Sequence, residues 1–196
     1  MQGVEIIGLA VGYLLGSIPF GLLVTRLAGK GDIRAIGSGN IGATNVLRTG
    51  SKKLAALTLL LDAAKGAAAV LLAAAVAGRE AIPYAAAGAL VGHLYPAWLR
   101  FKGGKGVATL LGILAALMWP GALVYALIWV GLLLTIRISS VAGMAAAASA
   151  PVSAVAFGYS QYFPMLLGFA LLVIWKHREN LARLRSGTEP RVGQRV

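Results

Sequence analysis

Three stretches of the chain carry residues able to bind and transform an anion. The first, Gly37 to Arg48 (GSGNIGATNVLR), sets Gly37, Gly39 and Gly42 among Ser38, Asn40, Thr44, Asn45 and Arg48. Glycine lets backbone N–H groups close around an anion, and the amides, hydroxyls and guanidinium add side-chain donors. A plain connecting loop needs flexibility but not this set of donors. The second, Gly92 to Gly106 (GHLYPAWLRFKGGKG), ends in Lys102, Gly103, Gly104, Lys105 and Gly106 directly ahead of an apolar segment. There the positive end of a helix, backbone donors and an ammonium converge on one point. Arg100 and Lys102 also fit an ordinary basic turn at the membrane edge. The third, Lys176 to Glu189 (KHRENLARLRSGTE), repeats His177, Asn180 and Arg183 every three residues, so that a helix aligns them on one face. For Arg183 and Arg185 an interfacial basic helix is the alternative reading.

His93 lies near the end of an apolar segment, where an ionisable ring needs a partner or a task. Its ordinary pKa of about 6.5 suits proton transfer at neutral pH, and bonding to Tyr95 or a carbonyl is the structural alternative. Asp62 and Lys65 stand i, i+3 on the segment before it, deep enough to be buried, and are expected to form an ion pair.

Two familiar phosphate motifs do not fit. Gly37, Gly39 and Gly42 match G-x-G-x-x-G and Asp62 follows Gly42 by twenty residues, but no apolar strand precedes the glycines and Asp62 falls inside an apolar helix. The Gly-Lys of the second stretch lacks the rest of a P-loop: Leu99 stands where its first glycine belongs and Gly106 where Ser or Thr is required.

The elements that must position these residues are membrane helices. With 59% hydrophobic and 12% charged residues and a mean hydropathy of +0.81, the chain departs from soluble domains, in which about a quarter of residues are charged. Apolar segments run at 4–25, 54–78, 81–98, 107–118, 121–136, 139–157 and 162–176, and a full span takes roughly 20 residues. The expectation is an all-α integral membrane protein, a compact bundle of seven transmembrane helices in one domain, 1–196. The first segment lacks a basic start and a small-residue cleavage site and is read as a retained span. Fusing 107–136 into one helix would give about 45 Å, long for a bilayer; fusing 138–175 as well leaves five spans as the alternative. Glycine and alanine crowd the segments, which favours close helix packing.

With the N-terminus outside, every basic residue except Arg79 and Lys65 falls in an inward loop or the cytoplasmic C-terminal tail. That asymmetry sets the orientation and explains the net charge of +12 without nucleic acid. All three stretches then face the cytoplasm and form a pocket rich in cations, whose natural ligand is phosphate. The chain has no cysteine, and its two histidines and six carboxylates make no metal-ligand spacing, so neither metal nor cofactor is expected.

GSIPFG (Gly16 to Gly21), GSGNIGATNVLR, LDAAKG (Leu61 to Gly66), GHLYPAWLRFKGGKG and the HRENLARLRSGTE tail, taken in order, resemble the bacterial acyl-phosphate:glycerol-3-phosphate acyltransferases, the PlsY family. The resemblance runs over nearly the whole chain. It implies a seven-helix enzyme of the bacterial inner membrane that moves a fatty acyl group from acyl phosphate to the 1-hydroxyl of glycerol 3-phosphate. The products are lysophosphatidic acid and inorganic phosphate, in the first step of phospholipid synthesis. Acyl phosphate is already an activated mixed anhydride, so no covalent acyl-enzyme is needed.

Joined to the residues, this makes Ser38, Asn45 and His93 the expected catalytic groups. Gly39, Asn40, Gly42, Thr44, Arg48, Lys102, Gly103, Gly104, Lys105, His177 and Asn180 are expected to hold substrate phosphate. His93 or the donor phosphate would accept the hydroxyl proton. No Asp-His relay is evident to make Ser38 a nucleophile, and the His-x4-Asp arrangement of another acyltransferase class is absent, since Trp98 and Ala182 stand five residues after His93 and His177. Partners are the two substrates and the bilayer, with the protein a monomer. The rival class is a small membrane transporter of phosphate-bearing anions, which would need access from both faces. A structural membrane subunit would not need these polar clusters.

Overall fold

The computed structural model describes residues 3–194; Arg195, counted with the basic tail, lies outside them. Among the described residues the regular structure is all helical: α1 (Gly3–Gly16), α2 (Phe20–Leu27), α3 (Ala43–Leu47), α4 (Lys52–Ala77), α5 (Ile82–Leu94), α6 (Val107–Leu117), α7 (Trp119–Thr135), α8 (Ser139–Ala156), α9 (Phe163–Lys176) and α10 (Arg178–Arg185), with short 3-10 turns between some of them. Every apolar segment read from the sequence forms helix. Gly3–Leu27, Lys52–Ala77 and Ser139–Ala156 are long and apolar enough to cross a membrane, and Val107–Leu117, Trp119–Thr135 and Ser160–Lys176 are shorter apolar stretches. Leu60, Leu71, Leu134 and Leu171 lie exposed on these helices, as a lipid-facing surface requires.

Three breaks refine the sequence reading. The first segment is interrupted at Ser17–Pro19, where proline supplies no N–H to continue the ladder. Met118 is extended (φ −157°, ψ 87°), so α6 and α7 are separate helices, with Pro120 in the first turn of α7. Gly158, with φ +81°, and the 3-10 turn Ser160–Tyr162 likewise separate α8 from α9.

The chain divides into two compact units, Met1–Ala116 and Leu117–Val196. In the first, α1 and α5 pack backbone to backbone. A methyl group added at Gly12 or Gly16 would strike the Ala85 or Ala89 carbonyl, and one at Gly88 or Gly92 the Leu9 or Tyr13 carbonyl. This is small-residue packing of the kind that joins helices in lipid, where no hydrophobic effect drives them together. Gly66 of α4 and Gly112 of α6 approach Thr109 and Ala63 in the same way. Beneath the first stretch a separate apolar cluster forms from Leu22, Ile33, Ile41, Val46 and Ala55.

In the second unit α8 packs between α7 and α9 and buries Ala142, Ala146, Ala147, Ala150 and Ala154. The tail returns to the start of α8. There Val192 N–H donates to the Arg137 carbonyl at 2.7 Å, and Ser140 Oγ donates to Glu189 Oε1 at 2.6 Å.

Candidate active site

The loop from Gly37 to Arg48 is folded around one amide. Asn45 is 2% exposed, and its Nδ2 donates to the Ile33 carbonyl at 2.7 Å, to Asn40 at 2.8 Å and, at 3.2 Å, to Ile36. Its Oδ1 accepts from Ser38 N–H at 3.2 Å and faces Ser38 Oγ at 3.5 Å. A second amide turns the corner: Asn40 Oδ1 accepts from Gly42 N–H at 2.9 Å. Gly37 and Gly39 have φ of +55° and +66°, a conformation that favours glycine. Gly37 is also where the Arg48 guanidinium and the Asn45 Oδ1 close in, for a Cβ there would meet both. Ser38, Thr44 and Arg48 are exposed, and Asn40 and Gly42 are half-buried.

Arg26 and Arg34, the basic residues that precede this loop in the chain, are engaged elsewhere. Both bond to Asp32, at 3.0 Å for Arg26 and 2.5 Å for Arg34. The Arg34 hydrogen bonds, supported by Arg26, outweigh partial burial and hold the Asp32 carboxyl well below the usual carboxylate range. Arg48 is therefore the cation this loop presents.

The second stretch closes over His93. Gly104 N–H donates to the His93 carbonyl at 3.0 Å and Gly103 N–H to Leu94 at 3.2 Å. The Gly104 backbone lies against the ring so closely that a Cβ would overlap His93 Nε2. His93 is 4% exposed, and its Nδ1 is 3.8 Å from Asp62 Oδ1. The expected ion pair is present, with Lys65 Nζ 2.6 Å from Asp62 Oδ1. Lys105 is half-buried and Lys102 exposed, and Gly106, with φ +85°, turns the chain into α6.

The N–H groups of Gly39, Gly42, Gly103 and Gly104 all donate to protein acceptors. In this structure these hydrogen bonds give the two loops their turn geometry and close approach. Two aromatic residues to which the sequence assigned no site role tie the second loop to α1 and to Ser17 just beyond it. Tyr13 Oη donates to the Tyr95 carbonyl at 2.9 Å and accepts from Ala97 N–H at 3.0 Å, while Trp98 Nε1 donates to the Ser17 carbonyl at 2.9 Å. For Trp98, at the end of the 81–98 segment, aromatic type was the available signal; Tyr13, in the middle of the 4–25 segment, offered none.

His177 and Asn180 belong to the second unit. His177 is 3% exposed and its Nδ1 lies 2.8 Å from the Val173 carbonyl; a carbonyl only accepts, so Nδ1 carries the proton. Asn180 Nδ2 donates to Glu189 Oε1 at 2.5 Å, and Arg183 Nε to Oε2 at 2.7 Å.

Burial raises the Glu189 pKa, but the Ser140, Asn180 and Arg183 bonds together overcome it and leave it lowered. A depressed folded pKa contributes stability above the ordinary glutamate range, near about 4.3, and that contribution disappears as pH falls through the lower folded value. Glu189→Gln is therefore expected to lower unfolding stability by about 2 kcal/mol at pH 7, one charged bond's worth after discounting the half-exposed Arg183. The gap from wild type should narrow in thermal melts as the pH is lowered.

These features define a class: a polytopic membrane protein whose first unit presents hydroxyls and cations from two tightly braced loops, suited to phosphate-bearing ligands. The comparisons with known proteins make the class specific. Residues 6–187 match the model of the glycerol-3-phosphate acyltransferase family. The chain is 54% identical over 195 residues to the glycerol-3-phosphate acyltransferase of Rhodopseudomonas palustris strain BisB5, covering all of both chains. It is 55% identical over 185 residues to that of Erythrobacter litoralis, covering 94% of this chain and 93% of the relative.

Two crystal structures of PlsY (YgiH), an integral membrane glycerol 3-phosphate acyltransferase, share its fold. The glycerol 3-phosphate form has a TM-score of 0.90 at 39% identity, covering 97% of this chain and 96% of that one. The lysophosphatidic acid form has a TM-score of 0.88 at 38% identity, covering 96% and 95%. The chain belongs to the glycerol-3-phosphate acyltransferase family.

Proposed function

We propose that the protein transfers a fatty acyl group from acyl phosphate to the 1-hydroxyl of glycerol 3-phosphate. Arg48 supports this most directly: the first loop's own cation is held beside Ser38 and Asn45 in a chain that matches the family from residue 6 to 187. The match spans both units, which supports a single acyltransferase domain. Arg48 and Lys105, with Lys102 at the rim, hold the substrate phosphates. Ser38, Thr44 and Asn40 add hydrogen bonds. His177 and Asn180 are the phosphate-binding residues of the second unit.

The reaction needs alignment and charge stabilisation more than a protein nucleophile. The glycerol 3-phosphate hydroxyl oxygen bonds to the acyl carbonyl carbon, the carbon–oxygen bond of the anhydride breaks, and inorganic phosphate departs with the hydroxyl proton. The donor phosphate is the base in this reading. His93, buried with its ring under Gly104, works from behind the second loop and keeps it in place. Asn45 acts in the same manner on the first loop, because its amide is filled by backbone partners. Both thereby act as positioning residues for the exposed donors.

The two loops open to the cytoplasm, where glycerol 3-phosphate arrives from water, and the seven-span bundle sits in the bacterial inner membrane with its N-terminus outside. The positive-inside distribution supports this orientation. Purified protein given acyl phosphate and glycerol 3-phosphate should release inorganic phosphate and form the monoacyl product, and should form none from acyl-CoA or an acyl carrier protein thioester. Folded protein that yields no product from acyl phosphate would refute the assignment.

A further inference from the structure

Asp62 and Lys65 sit inside the first unit on α4, 3% and 4% exposed. Neither is among the groups that meet substrate in the reading above. A buried ion pair is weak evidence for stability, since apolar residues of similar size fill such space at least as well. What distinguishes this pair is where each member reaches.

Lys65 Nζ donates to the Ile18 carbonyl at 2.8 Å, within the break between α1 and α2, and lies over the Phe20 ring at 5.8 Å. Three residues after Ile18, Gly21 backs onto the first loop. A Cβ there would overlap the Ile41 carbonyl, and Thr58 of α4 borders the same spot. Asp62 also lies against His93, with Oδ1 3.8 Å from Nδ1, while the other ring nitrogen, Nε2, packs under Gly104. One ion pair thus underlies the beds of both loops.

We propose that Asp62 and Lys65 are positioning residues that hold the Gly37–Arg48 loop and the Gly103–Gly106 loop in register, so that the two substrates meet at reacting distance. The proposal rests on those loops binding phosphate. Each loop keeps its own donors when the pair is removed, so binding survives while alignment does not.

In the double variant Asp62→Leu/Lys65→Met, no charge is left unpaired and the fold should persist. The expected result is a kcat lowered at least about tenfold, with KM for each substrate within about threefold of wild type. The chain has no cysteine, so Ala35→Cys and Ala97→Cys, at exposed positions flanking the two loops, accept a spin-label pair. The label distance should be narrowly distributed in otherwise unchanged protein and broadened in the double variant. Asp62→Asn/Lys65→Gln, closer in shape, is measured in the same two ways.

Unchanged kcat, or a fall in kcat without a broadened distance, overturns the proposal. Failure of both double variants to fold also overturns it by assigning the pair to folding alone. Unchanged KM values in both Arg48→Ala and Lys105→Ala would instead remove the phosphate reading and leave the distance result standing.

Discussion

Asn45→Asp is expected to reduce kcat/KM about 10³-fold while leaving the helices folded. The substitution is nearly isosteric, yet it exchanges a two-hydrogen donor for an acceptor. The new oxygen would face the carbonyls of Ile33 and Asn40, which Nδ2 now holds at 2.7 and 2.8 Å. Leaving a buried carbonyl unsatisfied costs about 1–3 kcal/mol, so the two close bonds alone put roughly 4 kcal/mol against the present loop conformation. At about 1.4 kcal/mol per factor of ten, that reaches three decades if the closed loop is the active one. The loss is local, because the α1–α5 glycine packing lies elsewhere, and the melting temperature should move by no more than about 5 °C. Steady-state kinetics and a thermal melt on the same preparation check both halves. Retention of more than about a tenth of wild-type kcat/KM by Asn45→Asp would show that the amide does not pin the loop.

That expectation depends on something the sequence left open. Asn45 stood in the sequence as one donor among several, and nothing in GSGNIGATNVLR indicates that its amide points inward. The direction follows from Gly37 and Gly39 taking positive φ, which wraps residues 33–40 around position 45. The same holds for the glycine N–H groups: spacing shows where a backbone bends, but only the fold determines which way its donors face. Long-range partners were equally hidden. Trp98 bonds to Ser17 and Glu189 to Ser140 across sequence separations that no local pattern encodes.

What depends on composition or local period was legible. The apolar segments became helices because about twenty apolar residues have few other ways to satisfy their backbone in lipid. Asp62 and Lys65 paired because i, i+3 puts them on one face. The interruption at Ser17–Pro19 carried its proline in plain view, but a hydropathy window averages across a single breaker and drew one continuous span.

The second large effect is expected at Gly104, where alanine should lower kcat/KM about 10²-fold. The added methyl falls onto the His93 ring, with Nε2 overlapped and Cε1 at 2.7 Å. His93 has little room to yield, being 4% exposed with Asp62 on its other side. The loop must therefore move, taking Lys105 with it. A displacement of about 1 Å in a group that positions substrate is enough for a hundredfold loss. His93→Ala in the same chain removes the obstruction. If the ring serves only to support the loop, Gly104→Ala/His93→Ala should recover to the level of His93→Ala alone, a non-additivity expected for residues in contact. If the ring also accepts the hydroxyl proton, His93→Ala will change the shape of the pH dependence of kcat across roughly pH 6 to 9, the range in which histidine acts as a base. Loss of support alone lowers kcat evenly across it. An unchanged pH dependence in His93→Ala, together with recovery of Gly104→Ala/His93→Ala to its level, assigns the proton to the departing phosphate.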